Sequence, residues 1–129
     1  MNRLEEAHAI MNKLEQDYVS MVRTLSKNGE DIIESLTPEG AHLWHMASAL
    51  CGEAGELFDA IKKSVIYEKD LDIKNVIEEL GDLEFYMEGL RASLNVTRGE
   101  TLAHNLLKLD TRYGPQFSNA AAQERADKV

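Results

Sequence analysis

Glu53-Ala54-Gly55-Glu56 and Glu79-Leu80-Gly81-Asp82 are two pairs of carboxylates at i, i+3 spacing. On a helix, that spacing puts both side chains of a pair on one face, one turn apart. A helix bearing the first pair, laid against a helix bearing the second, would bring four carboxylates together. Held at about 6 Å with an effective dielectric near 20, each pair of like charges costs roughly 3 kcal/mol. A divalent cation removes that cost, and an all-oxygen ligand set suits Mg²⁺ or Mn²⁺ rather than Zn²⁺. The competing reading is a solvated face. With 23 acidic residues in 129, pairs at this spacing also arise by chance.

The elements that must position these residues can be read from hydrophobic period and caps. Thr37-Pro38-Glu39 reads as a helix start, Thr as cap and Pro at the first helical position, opening a helix over 38–67. Leu43, Ala47, Leu50, Ala54, Leu57, Phe58, Ile61 and Val65 fall on one broad face at about 100° per residue, and that face is expected to be core. Glu53 sits at its edge beside His42, Met46, Ala49 and Ala60, with Glu56 further round and Lys63 near it. Small alanines beside acidic groups leave room for a ligand. After Glu68-Lys69-Asp70, Asp70 or Asp72 can cap a helix over 72–94 whose core face is Ile73, Val76, Leu80, Leu83, Met87, Leu90 and Leu94. Glu79 is again at the rim, with Asn75, Asp82 and Tyr86, while Lys74, Glu84 and Glu88 read as solvated. Two helices joined by a short turn pack antiparallel, stripe to stripe, so the two rims would meet.

Two further helices flank this pair. Over 3–27, Leu4, Ala7, Met11, Leu14, Tyr18, Met21 and Leu25 make a heptad-like seam, with Asn28-Gly29 as its stop and a connection onward to Leu36. After a break at Asn95-Val96, Thr97-Arg98-Gly99-Glu100 is a capping box that opens a helix over 98–112 burying Leu102, Leu106 and Leu109. Thr101, Asn105, Lys108 and Arg112 share an adjoining stripe, where two cations and an amide could hold phosphate oxygens or simply solubilise the helix. The expected fold class is therefore all-α, an antiparallel four-helix bundle. Residues 1–117 are expected to form one domain, with 118–129 a polar tail that is mobile or weakly helical.

Composition narrows the function classes. The net charge is −9, with 14 Lys and Arg, which argues against nonspecific nucleic-acid binding. Cys51 is the only cysteine, with no activating neighbour, and is expected to be packed in a reducing cytoplasm. Asn2 to Glu6 is polar, without the apolar run of a signal peptide, and no stretch approaches a membrane span.

Taken together, these residues resemble the MazG-type, all-α nucleoside triphosphate pyrophosphohydrolases over about residues 37–117. The resemblance rests on Gly52-Glu53-Ala54-Gly55-Glu56-Leu57, then Asp59-Ala60-Ile61-Lys62-Lys63, then Glu78-Glu79-Leu80-Gly81-Asp82-Leu83, and last Asn105, Lys108-Leu109 and Arg112-Tyr113-Gly114. It implies Mg²⁺-dependent hydrolysis of a nucleoside triphosphate to the monophosphate and pyrophosphate, with Mn²⁺ as a substitute metal. It implies Glu53, Glu56, Glu79 and Asp82 as metal ligands, with Glu53 or Glu56 taking the proton of the attacking water. It implies nucleotide contacts from Asn105, Lys108, Arg112 and Tyr113, phosphate contact from Lys62 or Lys63, and a base site near His42, Trp44 and His45. It further implies a homodimer or homotetramer that completes the core across subunits. Gly52 stands where many members carry a further glutamate.

Two other classes compete. Glu5-Glu6-Ala7-His8 and Glu39-Gly40-Ala41-His42 have the Glu-x-x-His spacing of a ferritin-like di-iron bundle, out of register with Glu53 and Glu56. A non-catalytic helical interaction module would leave the acidic rims merely solvated.

Overall fold

The computed structural model describes residues 2–128, so Met1 and Val129, the outer ends of the expected domain and tail, lie outside the described residues. The described residues are helical with no strand. The chain divides into two compact units, 1–37 and 38–129.

The first unit holds α1 (Arg3–Leu25) and α2 (Gly29–Ser35). Asn2 caps α1, its Oδ1 accepting from the Leu4 and Glu5 N–H groups at 3.0 and 2.9 Å while Glu5 Oε2 accepts from the Asn2 N–H at 2.8 Å. The expected stop at Asn28-Gly29 is corrected. α1 ends earlier, at an extended Ser26, and Asn28 begins the next helix, its Oδ1 accepting from the Asp31 N–H at 2.7 Å. The stretch expected as a connection is thus α2. An asparagine serves either end of a helix, and here Glu30 and Asp31 in the first turn favour the start.

The second unit holds α3 (Pro38–Val65), α4 (Ile73–Ser93), α5 (Arg98–Tyr113), α6 (Asn119–Glu124) and a 3₁₀ turn (Ala126–Lys128). Of the two candidate caps for α4, Asp72 takes the role, accepting from the Asn75 N–H at 3.1 Å. The Thr97–Glu100 capping box forms as read, with Glu100 Oε2 accepting from the Thr97 N–H at 2.7 Å. Those bonds hold the Glu100 carboxyl below its usual range. α5 ends at Gly114, whose φ of 62° is costly for any residue with a Cβ.

α3 and α4 pack on each other. The sense is antiparallel, because Met46 meets Gly89 near one end of the contact while Glu56 meets Glu79 further along. Gly89 permits the close approach: a Cβ there would stand 2.7 Å from Met46 Sδ. α5 joins α4 through Arg98 and Glu84 at 3.3 Å, and Glu84 and Glu88 also pair with Arg91 at 3.6 and 2.7 Å. α6 and the 3₁₀ turn rest against α5.

The expected core faces are corrected in extent. Leu43, Leu50 and Leu57 of α3 and Val76, Leu83, Met87 and Leu90 of α4 are half-buried. Phe58, Val65, Leu80 and Leu106 remain exposed, as does the α1 seam, and Cys51, expected to be packed, is exposed too. Among the described residues only Ala60 and Glu79 are buried. A two-helix contact covers one strip of each helix, and a broad apolar face needs more than one neighbour. No helix among the described residues is long and apolar enough to cross a membrane.

Candidate metal centre and phosphate-binding face

Because α3 and α4 run antiparallel with their rims together, Glu53 and Glu56 face Glu79. One carboxylate oxygen from each lies within 4.8 Å of the others. Glu79 carries the strain of the arrangement. It is only 8% exposed, and its Oε2 is buried with no hydrogen-bond partner. Burial, then the charges of Glu56, Glu53, Asp82 and Glu78, push the Glu79 carboxyl above its ordinary range. An orphaned, desolvated carboxylate oxygen among two more carboxylates fits a divalent cation of the Mg²⁺ or Mn²⁺ kind, which takes hard oxygen ligands. Asp82 stands outside the three-oxygen group and is exposed, though its charge reaches Glu79. The group formed by Glu53, Glu56 and Glu79 includes no histidine.

A cleft of about 350 Å³ opens beside the glutamates, lined by Gly52, Gly55, Glu56, Asp59, Lys63, Asn75 and Glu79. Lys63 enters it, held by Asp59 at 2.8 Å. The pairing lowers the Asp59 carboxyl and raises the Lys63 ammonium, so the lysine stays cationic. Lys62, about 100° further round the helix, instead lies over the Tyr67 ring at 5.7 Å. The two lysines, equivalent in sequence, are thereby separated. Asp59 lines the cleft although its spacing alone assigned it no role, and Asp59 to Lys63 is an i, i+4 pair.

The stripe on α5 divides as well. Asn105 and Lys108 line a hollow of about 570 Å³ with Val96, Glu100, Thr101 and His104. Arg112 is engaged elsewhere, in a two-bond fork with Asp127. Asp127 was missed because no local pattern links residues fifteen apart. Tyr113 is half-buried, its ring 5.3 Å from that of Phe117. At the start of α3, His42 and Trp44 are exposed, and His45 meets the Tyr86 ring edge-on at 6.5 Å.

A family model, the MazG nucleotide pyrophosphohydrolase domain, matches residues 43–114. No curated protein and no solved structure matches the chain significantly. The matched stretch is more than half of the chain and contains the glutamate cluster, the Lys63 cleft and the whole of α5, and on that footing the chain belongs to the MazG nucleotide pyrophosphohydrolase domain family.

Proposed function

We propose that the protein hydrolyses a (deoxy)nucleoside triphosphate to the monophosphate and pyrophosphate in a Mg²⁺-dependent reaction, with Mn²⁺ able to substitute. The observation that carries this reading is Glu79, buried, unpartnered at Oε2 and crowded by Glu53 and Glu56. Glu53, Glu56, Glu79 and Asp82 hold the metal. When bound, a divalent ion neutralises the triphosphate and lowers the pKa of a coordinated water. Glu53 or Glu56 takes the proton of the attacking water, and Glu56 borders the cleft. Lys62 or Lys63 meets the phosphates, with Lys63 the one that lines the cleft, and Asn105, Lys108, Arg112 and Tyr113 supply contacts from α5. His42 and Trp44 receive the base. The reaction needs placed charge more than covalent help.

Assembly completes the proposal. The exposed apolar faces of α1, α3, α4 and α5 suit a homodimer or homotetramer in which residues 1–117 act as one domain and the antiparallel four-helix bundle closes. With Cys51 exposed and unpaired, a reducing cytoplasm suits the protein.

The test is a panel of canonical and modified nucleoside triphosphates with Mg²⁺ and with Mn²⁺, following both phosphate products. At least one substrate is expected to yield monophosphate and pyrophosphate in equal amounts. Orthophosphate as the sole product, or no product across the panel, overturns the reading. On an active substrate, Lys108→Ala is expected to raise KM by roughly 10- to 100-fold, the worth of a charge-assisted hydrogen bond. Its Mg²⁺ titration should match wild type. If metal affinity falls as far as substrate affinity, Lys108 does not contact phosphate.

A further inference from the structure

The family-matched stretch ends at Gly114, and the chain beyond it turns back onto α5. Ser118 caps α6, its Oγ accepting from the Ala121 N–H at 3.1 Å, and Arg125 ends that helix in a left-handed conformation at φ 53°. The 3₁₀ turn that follows delivers Asp127 to Arg112. Arg112 Nε donates to Asp127 Oδ1 and Nη2 donates to Oδ2, at 2.5 and 2.6 Å. The Asp127 side chain is 3% exposed and that of Arg112 is 16% exposed.

We propose that Asp127 is a latch: its carboxylate takes the place of a substrate phosphate on Arg112, and an incoming triphosphate displaces the 3₁₀ turn. This inference rests on the phosphate-contact role proposed above for Arg112. The fork of a guanidinium matches a carboxylate and a phosphate equally well, so either occupant uses the same two donors. With Nε and Nη2 committed, only the Nη1 side and one N–H of Nη2 remain. The pair is also electrically neutral. A triphosphate approaching it finds a cation whose charge is already balanced.

The alternative role for Asp127 is to orient Arg112 toward phosphate. That role would keep the negative charge beside a polyanion, at a position of the stripe where positive charge is needed. Asn105 and Lys108 already face an open hollow, so Arg112 is the member withheld. Among the described residues, little else fastens the segment. α6 is six residues long, and its half-buried apolar side chains are Ala121 and Ala122, with Ala126 half-buried in the 3₁₀ turn. The Asp127 carboxyl is held low, at about 2, chiefly by the bonds from Arg112, so the latch stays charged through the neutral range.

The test uses the full chain carrying Asp127→Asn, Asp127→Glu or Arg112→Ala. Asp127→Asn should lower KM for an active triphosphate by about 3- to 10-fold with kcat unchanged, because the competent population no longer has to be released first. Asp127→Glu should stay near wild type. A higher KM in Asp127→Asn would make Asp127 a positioning residue, and an unchanged KM would make the fork a plain structural tie. Either result overturns the latch. A second readout needs no turnover. Magnesium tripolyphosphate should speed tryptic cleavage after Arg125 in wild type, and Arg112→Ala should be cleaved fast without it. No acceleration in wild type overturns the latch. Acceleration in a protein that hydrolyses no triphosphate supports the latch and removes the proposed reaction. Turnover with an unchanged KM in Arg112→Ala keeps the reaction and removes the latch.

Discussion

Glu79→Gln is expected to lower turnover on the order of 100-fold or more, the scale of losing a preorganised charge at the reacting centre. The same change should abolish the rise in melting temperature that Mg²⁺ gives. Glutamine keeps the shape of the side chain and removes its charge, so the effects separate from packing. In the metal-free protein the amide should melt higher than wild type. Folding forces Glu79 into a buried position beside Glu53 and Glu56, and unfolding relieves that repulsion. The pH dependence follows from the same geometry. A carboxylate whose folded pKa is raised above 4.5 binds its proton more tightly when folded. Metal-free stability is therefore fullest at and below about pH 4.5 for this group. It falls as pH rises through the raised folded pKa. Divalent metal should reverse the trend by binding the ionised form, releasing a proton as it binds. The measurement is a set of thermal melts of both proteins, with chelator and across a Mg²⁺ series, at several pH values. Parallel curves with equal Mg²⁺ responses would sink the carboxylate site and leave a solvated face.

The second large effect concerns assembly. Phe58 on α3 is 68% exposed and Phe85 on α4 is 66% exposed. If both stay in water, Phe58→Glu and Phe85→Glu should each change stability by no more than about 0.5 kcal/mol. If a second copy covers them, each change places an unpaired charge in an apolar interface. It also forfeits the roughly 1.5–3 kcal/mol gained by burying a phenylalanine. The expected result is the second. Wild type should sediment as a dimer or tetramer at micromolar concentration, and the variants should dissociate, melt much lower or fail to fold. A monomeric wild type with unperturbed variants would remove the assembly and, with it, the closed bundle. The reason to expect assembly is the scarcity of buried side chains. A chain whose described residues bury only one alanine and one glutamate has no core of ordinary size for its length.

What the sequence determined alone was mostly local, because it depends on period and on neighbours within a turn. Pro38, Asp72 and the Thr97–Glu100 box begin their helices where residue type places a start, and the described ends of α3, α4 and α5 fall within two residues of those expected. The i, i+3 spacing was enough to put each carboxylate pair on one face. Asn28 marks the limit of local signals, since its short polar side chain caps a start as readily as it tolerates a stop. The tertiary structure decided everything that depends on what lies across from a residue. Glu53 and Glu79 are equivalent rim positions in sequence, yet Glu79 is buried and Glu53 is half-buried, because burial is set by the neighbouring helix. Lys62 and Lys63, about 100° apart on one helix, part through contacts close in the chain, Lys62 over Tyr67 and Lys63 paired with Asp59. Asp82 shares the spacing of a ligand but stands outside the three-oxygen group. Arg112 read as one of a stripe of free cations until the chain beyond Gly114 brought Asp127 to it. No residue type or period within α5 carries that information, because ion pairs between distant residues follow from the path of the chain and not from the pattern of any one helix.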